Sequence, residues 1–386
     1  MPKRDSGRSA AAVSDFAPAK QPAHARAERV ASATSRYAEQ FAGRYSPEFY
    51  RRAFDGAVVS SIGIGTYLGE CSDEDDAGYA HTIVRALGNG INLIDTAINY
   101  RCQRSERAVG TALRNAFQAG VSRDAVIVCT KGGYLPLSGE PPQSREAYRE
   151  YLKSEFFSSG VLTPDDVVAG GHSLAPAFLR YSIARSRENL GVETVDLYYL
   201  HNPEQQLTSV SPESFRERLR AAFMVLEDAV SRGEIGAYGC ATWSGLRLTA
   251  GAKGGMSLGG LMTIAREIGG EGHHFRAVQI PVSLAMPEAV RTPTQPVGSR
   301  GEMVPAVQAA ADLGVAVFAS APLMQGQLTK DLPDSVRDFF PLQQTDAQRA
   351  LAFVRSVPGV TAALVGTRSI AHLDENLDSA RPVATS

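Results

Sequence analysis

Beyond Asp55, short runs rich in Val, Ile, Ala and aromatic residues alternate with longer segments whose apolar positions recur at helical spacing. The runs predict strands at 58–65 (VVSSIGIG), 91–95 (INLID), 125–130 (AVIVCT), 195–201 (VDLYYLH), 235–241 (IGAYGCA), 276–282 (RAVQIPV), 314–320 (GVAVFAS) and 361–366 (TAALVG). The segments between them predict helices at 75–87, 105–119, 175–190, 212–232, 258–268, 303–313 and 345–357. Glycine follows several of these, as in ENLG at 188–191 and ADLG at 311–314, the usual helix stop before a strand. Eight apolar strands alternating with helices predict an α/β fold, a (β/α)8 TIM barrel occupying 57–386, with long loops at its C-terminal face. A doubly wound sheet is the competitor, but no G-x-G-x-x-G opens the first unit.

Two connections exceed what a barrel needs: 132–173, which contains the helical-looking SREAYREYLKSEFF, and 286–302, which carries three prolines. Loops of that length on a barrel are usually walls or lids of the site. Ahead of the barrel, 1–56 reads as an N-terminal extension. Residues 1 to about 36 are rich in Ala, Ser and Arg without apolar periodicity and are expected to be a mobile tail. From Tyr37 to Phe54 aromatic residues recur near helical spacing, which predicts a short helical appendage packed on the main domain.

Composition narrows the class. Lys plus Arg number 39 against 41 Asp plus Glu, a formal charge of −2, which does not suit a nucleic-acid binder. No apolar run nears the roughly 18 residues that span a bilayer, so no membrane segment is expected. The four cysteines lie far apart with no C-x-x-C pair, which argues for a reducing cytoplasmic setting and against a metal ribbon. No His, Cys and carboxylate spacing predicts a metal site.

In a barrel, polar residues at the carboxyl ends of strands converge on one mouth. Asp95 closes INLID, Tyr100 follows in DTAINY, Lys131 closes AVIVCTK and His201 closes VDLYYLH. A carboxylate, a phenol, an amine and an imidazole there form a proton-delivery site. An ammonium beside a phenol favours the phenolate, so Lys131 is expected to bring Tyr100 down toward neutrality and make it a general acid. His201 would orient a substrate carbonyl. Trp243 is read as a packing residue, and His172 as a helix cap in GGHSLAP.

These segments, with their neighbours, resemble the aldo-keto reductase superfamily. The resemblance rests on DTAINYRCQRSERAVG (95–110), VIVCTK (126–131), RSRENLGVETVDLYYLH (185–201), GEIGAYGCATWS (233–244), VQIPVS (278–283), VFASAPLMQGQLT (317–329) and VGTRSIAHLDENL (365–377). It implies a reductase that moves a hydride from a nicotinamide to an aldehyde or ketone, with Tyr100 as the acid, Lys131 and Asp95 as its tuning pair and His201 orienting the substrate. It further implies that Gln279 holds the nicotinamide carboxamide and that Gly366, Thr367, Arg368, Glu375 and Asn376 form the adenosine-phosphate loop. Thr242, Ser320, Pro322, Leu323, Gln325 and His372 complete the cofactor set.

Three of these depart from the family pattern. Ala241 and Thr242 stand where many members have Ser-Asn, Ser320 where an aromatic residue stacks on the nicotinamide, and His372 where a second phosphate-binding Arg is common. NADP is the implied cofactor on the strength of Arg368, with NAD as the alternative. The expected partner is a small carbonyl or sugar substrate, and the expected assembly a monomer or small homo-oligomer. An aldose or alcohol dehydrogenase using the same residues is the near alternative. A Schiff-base lyase built on Lys131 and a cofactor-sensing subunit with little turnover are the alternatives from other classes.

Overall fold

A computed structural model describes residues 23–382 of the chain. The run VDLYYLH forms a strand at Val195–His201 in which every residue is buried. A parallel strand is covered on one face by helices and on the other by the barrel interior, so both faces must be apolar. The same logic holds around the fold. In chain order the elements are α1 (Ala23–Gln40), the hairpin strands β1 (Tyr50–Arg52) and β2 (Val58–Ser60), β3 (Ile62–Gly65), α2 (Asp73–Leu87), β4 (Leu93–Asp95), α3 (Arg104–Gln118) and β5 (Ile127–Gly132). They continue with α4 (Arg145–Leu152), α5 (Pro176–Leu190), β6 (Val195–His201), α6 (Pro212–Ser231), β7 (Ile235–Ala241), α7 (Leu258–Gly269), β8 (Phe275–Pro281) and α8 (Glu288–Arg291). The chain ends with β9 (Gln295–Val297), β10 (Glu302–Val304), α9 (Ala306–Asp312), β11 (Ala316–Ser320), α10 (Asp334–Phe339), α11 (Asp346–Ser356), β12 (Val360–Gly366) and α12 (Ile370–Asp378).

Strands β3 to β8, β11 and β12 close into an eight-stranded parallel barrel, with β12 hydrogen-bonded to β3. All eight predicted strands are therefore present, but the first is divided. Val58–Ser60 pairs with β1 across the floor, and only Ile62–Gly65 enters the barrel. Helix starts follow local chemistry: Ser72, Ser211 and Ser257 accept the exposed N–H groups of α2, α6 and α7, and Thr345 with Gln348 makes a reciprocal box at α11. At the other end of α5, Gly191 takes a φ of 65°, as ENLG predicted.

The floor of the barrel differs from expectation. Helix begins at Ala23, within the stretch expected to be a tail through about residue 36, and residues 1–22 lie outside the described residues. One face of α1 buries Val30, Ala33 and Tyr37; the Tyr37 hydroxyl donates to the Leu87 carbonyl, and Arg26 pairs with buried Asp196, which also takes Arg123. Val30, Phe54, Ala57 and Val59 continue the barrel's inner core of Leu93, Ile127, Leu197, Phe318 and Leu364, so α1 and the β1–β2 hairpin plug the amino end. On the opposite face, the 132–173 insertion packs Leu135, Phe156 and Leu162 into a small core with Phe178 of α5, and the segment after β8 ends in the short β9–β10 hairpin.

Candidate active site

Strand β4 ends at Asp95 and β5 carries Lys131, neighbours in the barrel order, so their side chains meet beneath the mouth. Lys131 Nζ lies 2.6 Å from Asp95 Oδ2 and 2.8 Å from the Thr96 carbonyl, and Gln279 Nε2 donates to Asp95 Oδ1 at 2.8 Å. Burial is the largest influence on both charged groups. It raises the Asp95 carboxyl and works against the Lys131 ammonium, but Asp95 and Tyr100 more than offset this and the Lys131 pKa is raised. The pair is an ion pair.

Above it stands Tyr100, whose ring centroid is 5.1 Å from Lys131 Nζ and 5.7 Å from the His201 ring. Contrary to expectation its pKa is raised: burial outweighs the attraction of Lys131, and Asp95 adds to the rise. Tyr100 is thus held as the protonated phenol. His201 is driven well below its ordinary value by burial, with Lys131 and His172 adding to the effect, and is a neutral imidazole. Its Nδ1 has no partner among the described residues.

The segment after Tyr100 is strained. Arg101, Cys102 and Gln103 have φ values of 45°, 55° and 67°, a region that non-glycine residues avoid. The buried Arg101 guanidinium holds the segment in place. It donates to Asp76 Oδ1 at 2.7 Å, to the Glu70 carbonyl at 3.1 Å and to Ser105 Oγ at 3.0 Å, and lies over the Tyr79 ring.

A cleft of about 840 Å³ opens over these groups. That volume falls within the roughly 300–1,000 Å³ typical of small-molecule sites. The cleft brings together Asp95, Tyr100 and His201 with Thr242, Gln279, Ser320, Pro322, Leu323, Gln325, Gly366, Thr367, His372, Glu375 and Asn376. Lys131 is not on its surface, being wholly buried below Asp95. Arg368 is not on the lining either: its Nε lies 2.7 Å from Asp75 Oδ1, at the start of α2. Trp243, read as packing, instead lines the cleft half-exposed, and Glu204 fixes its loop by accepting the N–H groups of Trp243, Ser244 and Gly245 through one oxygen.

His172 caps no helix. It is buried and bonded to the His201 carbonyl, while Ser173 Oγ accepts the Ala175 N–H. Sequence reasoning passed over Tyr67, which stands edge-on to Tyr100 at 5.0 Å, and also Asn99 and Asn202. Asn99 and Asn202 flank the acid and the histidine in sequence, so proximity to a named residue was their signal. Tyr67 had only its place after β3.

The cleft suits a dinucleotide in its hydrogen-bonding chemistry. Thr242 Oγ1 and Asn99 Oδ1, of residues on its wall, are buried with no partner among the described residues, and Gln279, Thr367 and Asn376 line the same space. Among the described residues no helix is long and apolar enough to cross a membrane, and no three metal-ligating side chains cluster.

Residues 61–258 match the sequence model described as the Aldo/keto reductase family. Of curated proteins, the chain is 31% identical over 165 residues to a D-threo-aldose 1-dehydrogenase of a Pseudomonas species, covering 43% of this chain and 44% of that one. It is 29% identical over 189 residues to an NADH-specific methylglyoxal reductase of Escherichia coli K12, covering 48% of each. The chain thus spans about half the length of the curated relatives it matches. Among solved structures it resembles a glycerol dehydrogenase from Gluconobacter oxydans, with a TM-score of 0.58, 20% identity and coverage of 86% of this chain and 90% of that one. It also resembles an aldo/keto reductase from Klebsiella pneumoniae in complex with NADP and acetate, with a TM-score of 0.57, 18% identity and coverage of 86% and 89%. At these identities the structures show a shared barrel fold.

Proposed function

The chain belongs to the aldo/keto reductase family, and from that premise we propose that it is an NAD(P)H-dependent oxidoreductase that reduces an aldehyde or ketone to an alcohol. One observation carries the proposal: Tyr100 and His201, from different strand ends, face one cleft directly above the buried Lys131–Asp95 pair.

The nicotinamide, when bound, supplies the hydride. Thr242, Gln279 and the 366–376 segment would hold the dinucleotide, whose phosphate would meet the loop before α12. The other half of the reaction is the chain's own. Neutral His201 orients the carbonyl oxygen without adding a competing charge. Tyr100, kept protonated, gives its phenol proton to that oxygen. The Lys131 ammonium stabilises the phenolate left behind, and Asp95 keeps the ammonium charged in a setting that would otherwise discharge it.

The substrate class is a small carbonyl compound or sugar, the chemistry named in the aldose dehydrogenase, methylglyoxal reductase and glycerol dehydrogenase relatives. The same residues serve oxidation of the alcohol. NADP is favoured by the Klebsiella neighbour's complex and NAD by the NADH-specific relative. A monomer or small homo-oligomer is the proposed assembly. Four free thiols suit the cytoplasm.

Titration with NADPH and NADH, then a carbonyl panel followed at the nicotinamide absorbance, tests the proposal. Tyr100→Phe should lower turnover by roughly 10²- to 10⁴-fold with cofactor binding unchanged. An unaltered rate would overturn the assignment.

A further inference from the structure

The insertion between β5 and α5 leaves the barrel and returns to it at one neck, and the returning strand of that neck carries a buried histidine that the mechanism above does not use. Ser173 N donates to the Gly133 carbonyl at 2.8 Å and Leu135 N to the Gly171 carbonyl at 2.9 Å, with Tyr134 and His172 bridged between them. From this neck His172 Nε2 lies 2.8 Å from the backbone carbonyl of His201, and its Nδ1 lies 2.7 Å from Gln206 Nε2.

The proton positions follow from the far end of the chain of contacts. Arg218 can only donate, and its Nη1 is bonded to Gln206 Oε1. The Gln206 amide therefore turns its NH2 toward His172, and an NH2 group also only donates. His172 Nδ1 must be the bare acceptor, so its ring proton sits on Nε2 and points at the His201 carbonyl. The packing around this line is tight. A Cβ on Gly133 would fall 2.7 Å from the His201 carbonyl oxygen and 2.9 Å from His172 Nε2. The Tyr134 ring stands edge-on to both imidazoles at 5.0 Å, and its hydroxyl accepts from Asn202 Nδ2 at 3.0 Å.

We propose that His172 is a positioning residue for His201: neutral and protonated on Nε2, it anchors the backbone at the end of β6 so that the His201 ring and the Tyr134 wall keep one orientation toward the substrate carbonyl. This deepens the carbonyl-reductase reading and rests on it. A purely space-filling role would be met equally well by any ring of the same size.

The test uses the full chain with glyceraldehyde as substrate. His172→Phe keeps bulk and removes the donor; it should lower kcat by on the order of tenfold to a hundredfold while the cofactor Kd stays put. His172→Gln offers an amide N–H near the Nε2 position and should recover most of the loss. In ¹⁵N-histidine spectra His172 should show a bare Nδ1, and the His201 ring signals should move in His172→Phe far more than in His172→Gln. Wild-type kcat in His172→Phe, unmoved His201 signals, or a proton found on Nδ1 would each overturn the proposal. Should His172→Phe fail to fold, Gln206→Leu leaves the ring and its donation to the His201 carbonyl in place but removes its second tether; it is expected to lower kcat and to shift the His201 ring signals, and unchanged kcat with unmoved His201 signals overturns the proposal as well. Failure of the function reading is seen separately, as turnover surviving in Tyr100→Phe, and leaves the spectroscopic result on His172 standing.

Discussion

Lys131 Nζ and Asp95 Oδ2 meet at 2.6 Å with the lysine wholly buried and the carboxylate nearly so, and the pair forms the base on which Tyr100 stands. Removing one partner of a buried pair strands the other charge, at a cost of roughly 3–5 kcal/mol. Lys131→Met should therefore both destabilise the fold and abolish turnover. The double variant Lys131→Met, Asp95→Asn should regain much of the stability without regaining activity. Urea unfolding beside a rate assay checks this, and a double variant no more stable than the single one would count against the coupling.

Acid should weaken the fold through its buried imidazoles. Burial holds His172 at about 4, below the ordinary 6.5, and His201 is also lowered. Below about pH 6.5 the unfolded chain protonates these histidines while the folded chain does not, so the unfolded state carries more protons and stability falls with pH until the folded value is reached. For His172 the full effect is about 3 kcal/mol. His172→Gln should flatten part of that slope in urea midpoints between about pH 7 and pH 5, with His201 retaining the rest; an identical slope would show that His172 is not the group responsible.

The left-handed run at Arg101, Cys102 and Gln103 persists through the buried guanidinium that ties it to Asp76, Glu70 and Ser105. Arg101→Ala should cost about 3 kcal/mol and, because Tyr100 is the preceding residue, lower kcat more than cofactor affinity. Arg101→Lys retains the charge but not the planar fork and should rescue little. Calorimetry and single-turnover rates would expose either outcome; full activity in Arg101→Ala would remove the clamp from the account.

Arg368 is engaged by Asp75, in the acidic first turn of α2. If the adenosine end of the cofactor lies at this loop, as proposed, the carboxylate competes with a 2′-phosphate for the guanidinium. Asp75→Asn should raise NADPH affinity relative to NADH by on the order of tenfold, and adding Arg368→Ala should erase the gain. Fluorescence titration with both dinucleotides measures the ratio, and an unchanged ratio places Arg368 away from the phosphate.

The barrel was legible because its strands are covered on both faces and so read as mostly apolar runs, and because Gly191 and the serine caps mark helix ends chemically. Asp95, Tyr100 and His201 were legible because strand ends in such a barrel share one mouth. Helix α1 was not: its buried face is made of Val30, Ala33 and Tyr37 in an Ala, Ser and Arg background, and its anchors are long-range bonds to Leu87 and Asp196. Nor could sequence show that Asp75 occupies Arg368, or that burial outweighs Lys131 at Tyr100. Both outcomes depend on distances between segments far apart in the chain.

The stopper formed by α1 and the β1–β2 hairpin also bears on kinetics. With Val30, Phe54 and Val59 filling the amino end, reactants and products share the doorway at the strands' carboxyl ends. Whatever lies deepest must arrive first and depart last, so two-substrate kinetics should show a compulsory sequence of association rather than a random one.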